Sequence, residues 1–165
     1  MRRLLRNGQR FARLSRREQV WFVLLFVGCG LARAALLTLP FRRLVPYMGA
    51  HAEQGSCPPE VSEDQQRLAR RIGRLTALAA QYTPWQSACL VQALVAARLL
   101  AYYHIPYVLH LGVAKTTPPS DGFQAHAWLR VGPWIVTGRE GYQAFTVVGT
   151  FVAPATLPSG DTIRP

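Results

Sequence analysis

The chain has 165 residues, half of them apolar, which leaves room for one compact domain with a short appended segment and excludes wholesale disorder. Its three cysteines form no CxxC pair and its four histidines form no helical i, i+4 pair, so we expect neither a disulfide framework nor a metal site. The odd cysteine count fits a reducing, cytoplasmic compartment. The net charge of +11 is concentrated in residues 1–48, which hold ten of the nineteen basic residues and one acid, Glu18.

Residues 1–48 are predicted to form a basic arm followed by an apolar helix. The stretch 19–32, QVWFVLLFVGCGLA, carries no charge, and Pro40 is expected to close the segment. A basic lead-in and the Ala-Arg-Ala triplet at 32–34 imitate a secretory signal. The length of the lead-in and the arginine within the triplet nevertheless favour a core or membrane-surface helix over export or spanning.

The arginines of this arm narrow the choice of partners. No groove-reading or base-stacking motif accompanies them, so we expect no nucleic acid. Contact of residues 1–44 with an anionic membrane surface, or with an acidic partner, fits the charge. Solvated arginines beside a buried helix fit it equally well.

Residues 49–153 are predicted to form the domain core, beginning with a turn-rich loop or linker at 49–62. Ser62 has the character of an N-cap, because two acids follow it in what would be the first turn of a helix. That helix is amphipathic, with an arginine stripe expected to be solvated and an apolar stripe expected to be buried. The stripes comprise Arg67, Arg70, Arg71 and Arg74, and Leu68, Ile72, Leu75 and Ala79.

The stretch 87–103, SACLVQALVAARLLAYY, is apolar nearly all round and is predicted to be the central helix. Ser87 is its expected N-cap, which places Cys89 in the first helical turn. The segments that follow are rich in Val, Ile, Thr, Phe and Trp and are interrupted by Gly and Pro. They predict strands at 107–114, 123–131, 134–138 and 143–152. Helices followed by antiparallel strands indicate an α+β fold, and the proline-bearing tail 154–165 is expected to be loose.

Cys89 and His126 are candidates for nucleophilic catalysis. A thiol attacks as the thiolate, and the first turn of a helix presents unpaired N–H groups and a positive dipole end that favour an anion. An imidazole can hold the thiolate as an ion pair or act as general base and acid. The alternative is that Cys89 is only a small buried apolar residue.

Three blocks of the sequence carry a family resemblance: PWQSACLVQALVAARLL at 84–100, IPYVLHLGV at 105–113 and FQAHAW at 123–128. They resemble the leader peptidase of lasso-peptide clusters, the transglutaminase-like B protein of the kind that processes microcins. The stretch 14–44 is similar to the helix that precedes that domain, so the resemblance covers roughly 14–152. It implies a transglutaminase-like (papain-like) fold, in which N-terminal helices and a buried cysteine-bearing helix pack on an antiparallel sheet.

The activity that this resemblance implies is removal of the leader from a ribosomally made precursor by a cysteine peptidase, without a cofactor. The implied partners are the lasso precursor peptide, a separate small leader-recognition protein, and an ATP-dependent macrolactam synthetase. The synthetase closes the new N-terminus onto an acidic side chain. No leader-recognition module precedes residue 14, so we expect the chain to be the protease half of a split pair.

By motif, Cys89 matches the nucleophile of this family and His126 the base. The family often has an aspartate twelve residues after the histidine to orient the ring, and Gly138 stands at that position. If the chain turns at 132–133, His126 faces the region of Thr137 to Glu140 across the hairpin. Glu140, Thr137 or a backbone carbonyl could then orient the ring.

Other residues have secondary roles in this interpretation. Trp85, Trp128 and Gln92 are expected to line the substrate groove, with packing as the alternative for each. The backbone N–H of Cys89 is expected to meet the oxyanion, and His110 is expected to be structural. Two further functions stay open: a non-catalytic escort that presents the precursor to the synthetase, and transfer of the acyl group to an amine instead of water.

Overall fold

Three α-helices and a five-stranded sheet make up the part of the chain that this computed structural model describes, residues 14–53, 55, 60–85, 87–115 and 122–153. The helices are α1 (Arg16–Thr38), α2 (Glu63–Tyr82) and α3 (Cys89–Tyr102). The strands are β1 (Ala50–Ala52), β2 (Val108–Lys115), β3 (Phe123–Val131), β4 (Trp134–Thr137) and β5 (Thr146–Val152). The predicted α+β class is confirmed. The expectations for the first part of the basic arm and for the tail 154–165 lie outside the described residues.

Helix α1 begins at a capping box and ends near the predicted proline. The Ser15 hydroxyl accepts a hydrogen bond from the backbone N–H of Glu18, whose carboxylate accepts one from the N–H of Ser15. The helix ends at Thr38, two residues before Pro40. Its buried side chains are Trp21, Leu25 and Cys29. One face of α1 therefore belongs to the core, although the helix is also long and apolar enough to cross a membrane by length and composition.

Two polar contacts hold α1 on the other helices. The indole Nε1 of Trp21 donates a hydrogen bond to the Tyr103 hydroxyl at 3.0 Å, just beyond the end of α3. The guanidinium of Arg71 on α2 donates to the Glu18 carboxylate at 2.7 Å. This arginine, with the ion pair and hydrogen bond it supplies, holds the pKa of Glu18 at about 2.

Ser62 is the N-cap of helix α2, as predicted. Its hydroxyl accepts from the N–H of Gln65, and the Gln65 side chain accepts from the N–H of Ser62. Among the predicted apolar stripe, Ile72, Leu75 and Ala79 are buried. The four arginines of the other stripe are exposed, as predicted. Two of them also contact other elements, because Arg71 binds Glu18 on α1 and the Arg70 guanidinium lies 4.5 Å from the centre of the Trp134 ring.

Helix α3 is the central helix, but it starts one residue later than an N-cap at Ser87 would place it. The N-cap is Ala88, and the Ser87 hydroxyl is instead 2.8 Å from the Thr83 hydroxyl. The expected cap at Ser87 was therefore wrong, and the helix begins at Cys89 itself. The buried side chains of α3 are Val91, Ala93, Leu94, Ala96, Ala97 and Leu100.

The sheet is antiparallel throughout, with strand order β1-β5-β2-β3-β4. The predicted turn at 132–133 joins β3 to β4. Helix α3 packs against β3, and α2 packs against β4. This packing brings the start of α3 to the sheet edge formed by β3 and β4.

Two sequence expectations for strands need correction. The segment 49–62, expected to be a loop or linker, contains β1, which pairs with β5 through Ala50–Val152 and Ala52–Thr150. Its three residues carry no local strand pattern, so the pairing depends on a partner a hundred residues away. The last predicted strand, 143–152, begins only at Thr146, because Tyr142–Ala144 forms a 3-10 turn.

Candidate active site

Cys89 is the first residue of α3 and is partly exposed. Gln92, in the same helix, fixes the segment that precedes Cys89. Its side-chain amide donates a hydrogen bond to the Ser87 carbonyl oxygen at 2.8 Å. Ala88 provides no side-chain cap for the helix. Within the described residues, the N–H groups of the first turn therefore have no capping side chain, and they remain able to bind an anionic group beside the Cys89 sulfur.

His126 lies on β3, where its ring contacts two aromatic side chains. It stacks on Trp128, with 6.0 Å between the ring centres, and it lies tilted against Phe145, with 4.9 Å between the ring centres. Its Nε2 atom lies 2.9 Å from the Gly138 carbonyl oxygen. A carbonyl only accepts hydrogen bonds, so Nε2 carries the proton, and in the neutral ring Nδ1 is left as the basic nitrogen.

Gly138 therefore takes the place of the acid that the family resemblance led us to expect. Its φ is +71°, a left-handed conformation that favours glycine. A Cβ atom at this position would overlap the carbonyl oxygen of Ala127 and lie 2.9 Å from the Trp128 Cα. The β4 end can approach β3 this closely only without a side chain, and the close approach brings the carbonyl to the ring.

The two side chains suggested from the sequence for this role lie elsewhere. Glu140 is exposed at the edge of the same cavity, and Thr137 is buried on β4, where it pairs with Leu129. The backbone carbonyl, the third alternative, holds the ring nitrogen. The assignment of Glu140 as the orienting group is corrected accordingly.

One open cavity of about 470 Å³ contains the predicted pair. Cys89 and Gln92 border it from α3, and His126 borders it from β3. The remaining lining residues are Gly73, Ala77, Ala80, Gln81, Ser87, Ala88, Val136, Thr137, Gly138, Arg139 and Glu140. Its walls thus combine small side chains from α2 with polar groups from the β4 end, and the cavity is open to solvent.

The two tryptophans predicted for the groove do not line this cavity. Trp85 packs on α1, with its ring centre 5.7 Å from that of Phe26 and with ring atoms closely approaching Gly30. Trp128 is buried beneath the His126 ring. Both tryptophans therefore have the packing role that was the alternative to lining the groove. Phe145 has no sequence motif that would have singled it out, because it meets His126 only through the pairing of β5 with β2.

His110 has the structural role predicted for it. It is buried on β2, with Nδ1 3.3 Å from the Thr150 hydroxyl. Burial lowers the pKa of His110, with a smaller contribution from the charge of Arg130. Within the described part of the chain, no group of three or more His, Cys, Asp and Glu residues is placed to hold a metal ion.

Comparison with known protein families gives a match over most of the chain. The family described as Transglutaminase-like superfamily matches residues 35–150, a range that contains α2, α3 and most of the sheet. Neither a curated protein nor a solved structure matches the chain.

Proposed function

The chain belongs to the transglutaminase-like superfamily, and on that premise we propose that it is a cysteine peptidase that removes the leader from a ribosomally made lasso-peptide precursor. The observation that carries the catalytic part is a shared cavity. Cys89 at the start of α3 and His126 on β3 border it together, and the Gly138 carbonyl holds the imidazole. The superfamily supports a cysteine-dependent reaction of this type.

The first half of the reaction forms an acyl-enzyme. Nδ1 of His126 accepts the thiol proton, and the Cys89 sulfur attacks the carbonyl carbon of the bond between leader and core peptide. The N–H groups at the start of α3, including that of Cys89, stabilise the oxyanion. The imidazolium then protonates the leaving amine, so the core peptide departs with a free N-terminus and the leader remains as a thioester.

The second half hydrolyses the thioester. Water gives a proton to Nδ1 of His126 and attacks the thioester carbon, after which the Cys89 sulfur leaves and recovers its proton. The leader is released with a free carboxylate. The amine exposed on the core peptide is the group that a macrolactam synthetase would join to an acidic side chain.

Support for the leader as substrate comes from the sequence blocks at 84–100, 105–113 and 123–128, which are similar to those of lasso-peptide B proteins. On the same basis we propose a small leader-recognition protein and the ATP-dependent synthetase as partners, in a reducing cytoplasm. The cavity bears both Arg139 and Glu140 at its polar side, which suits contacts with a peptide backbone and its side chains.

Reconstitution with a precursor peptide and a recognition partner tests the proposal. Mass spectrometry should show free leader that ends in a carboxylate, and the summed mass of the leader and core products should exceed the mass of the precursor by one water. Cys89→Ala and His126→Ala should each abolish this product, whereas Cys29→Ala, which removes a buried thiol on α1, should retain it. Cleavage that persists in Cys89→Ala would refute the peptidase.

The same experiment separates the two alternatives. Lasso-peptide maturation that needs the protein but not its Cys89 sulfur would identify an escort for the precursor. A leader that carries an amide instead of a carboxylate would identify transfer to an amine.

A further inference from the structure

The outer face of α1 is exposed and apolar along most of the helix. Its exposed large aliphatic side chains are Val20, Val23, Leu24, Val27, Leu31 and Leu37. No charged residue lies between Glu18 and Arg33 in the sequence. A helix of 23 residues is about 34 Å long, so a stripe of exposed apolar side chains along it is a candidate interaction surface.

The apolar surface continues beyond the helix. Leu39 and Phe41 follow it, and an open groove of about 720 Å³ between α1 and α3 adds Tyr47 and Tyr102. Tyrosine combines an apolar ring with a polar tip, which is why it is enriched where hydrocarbon meets lipid headgroups. We call these exposed residues, together with the stripe on α1, the outer α1 face.

Cations stand at both ends of this face. Arg16 and Arg17 are exposed at its start, and Arg42 and Arg43 are exposed just after its end. The only acid of the first 52 residues, Glu18, is already bound by Arg71. Arginines can keep their charged groups in the headgroup layer while neighbouring aliphatic side chains enter the acyl region.

We propose that the outer α1 face binds the surface of an anionic phospholipid membrane, with α1 lying in the plane of the interface. The buried side of α1 explains why it lies on the membrane and does not cross it. Trp21 is bonded to Tyr103 and Glu18 to Arg71, so a spanning helix would have to leave the domain core. The outer α1 face shares no lining residue with the Cys89 cavity, which stays open to a peptide.

Vesicle flotation of the full chain tests this inference, and it needs no catalytic activity. The protein should float with vesicles of phosphatidylcholine containing about one third phosphatidylglycerol, and binding should weaken as salt is raised. Leu24→Glu with Leu31→Glu should reduce binding roughly tenfold or more, because two charges would have to enter the acyl region. Arg42→Gln with Arg43→Gln should weaken binding to anionic vesicles and leave the fold unchanged.

The matched control places the same charges on a different surface. Leu24 and Leu31 are 57% and 68% exposed, and Val148 and Phe123 on the sheet are 55% and 71% exposed. Val148→Glu with Phe123→Glu should therefore float like the unaltered protein, with circular dichroism confirming that both double variants fold.

Three outcomes would overturn the inference. The first is an unaltered protein that stays with the aqueous phase, and the second is a Leu24/Leu31 variant that floats equally well. The third is membrane binding that persists both at high salt and after alkaline extraction, which would indicate a spanning helix. If light scattering instead shows a dimer that only the Leu24/Leu31 variant breaks and no vesicle binding occurs, the outer α1 face contacts a second copy.

Discussion

Replacing Gly138 tests whether a backbone carbonyl orients the His126 ring. In Gly138→Ala the new Cβ would overlap the Ala127 carbonyl oxygen and lie 2.9 Å from the Trp128 Cα, so the end of β4 must move away from β3. The left-handed φ of +71° adds about 1 kcal/mol of strain for any residue with a Cβ. We expect the free energy of unfolding to fall by about 2 kcal/mol or more.

The catalytic consequence comes from the same movement. The hydrogen bond of 2.9 Å from Nε2 to the Gly138 carbonyl would lengthen, and its loss is worth about 1 kcal/mol, or roughly five- to tenfold in kcat/KM. Gly138→Asp, which places an acid at the position where the resemblance to lasso-peptide B proteins led us to expect one, should be at least as damaging. The carboxylate has no space while the β4 end stays where it is.

Gly141→Ala is the matched control. Gly141 also has a left-handed φ, +68°, but a Cβ there would meet no atom within 4 Å. It should therefore lose only the strain of about 1 kcal/mol and keep its activity. Urea unfolding and steady-state precursor cleavage give both quantities. Equal losses for the alanine variants at 138 and 141, or a Gly138→Asp variant more active than the unaltered protein, would refute the carbonyl's role.

Two further changes test the surroundings of the site and the attachment of α1. Glu140→Gln should alter kcat/KM by less than about threefold, because the exposed carboxylate does not hold the His126 ring. A hundredfold loss of kcat/KM in cleavage assays would show that Glu140 orients the ring. Glu18→Gln should lower the free energy of unfolding at pH 7 by about 1 kcal/mol, since it removes the ion pair with Arg71. Because the pKa of Glu18 is lowered from 4.5 to about 2 in the folded protein, its contribution is complete above pH 4.5 and is lost as the pH falls towards 2. Denaturation curves of Glu18→Gln and the unaltered chain should therefore converge at low pH, whereas Glu63→Gln, which removes an exposed pair within α2, should have little effect at any pH.

The sequence predicted those features whose physical cause lies within a few residues. A hydroxyl followed by two acids predicted Ser62 as the N-cap of α2, and Pro40 stops α1 because it prevents the helix from continuing. Runs of β-branched and aromatic residues located β2, β3 and β4 to within a residue or so. Two motif blocks singled out Cys89 and His126, which the structure places around one cavity.

The tertiary structure decided the features that join distant parts of the chain. The Gly138 carbonyl reaches His126 because β4 folds back beside β3 and no side chain intervenes. The sequence left Glu140, Thr137 and a backbone carbonyl open for this role, and it could not choose among them because the choice depends on how closely the two strands approach. Strand β1 forms because it can pair with the edge of β5. The tryptophans near the two motif blocks pack inward, since Trp85 contacts Phe26 on α1 and Trp128 contacts the rings of His110 and Tyr142. The uncharged stretch 19–32 predicted an apolar helix, but only the packing of Trp21 and Leu25 in the core determined which side of α1 is buried. Caps, helix ends and strand patterns depend on residues that are neighbours in the sequence. The carbonyl contact, the pairing of β1 and the buried side of α1 depend on surfaces that meet only after the chain has folded.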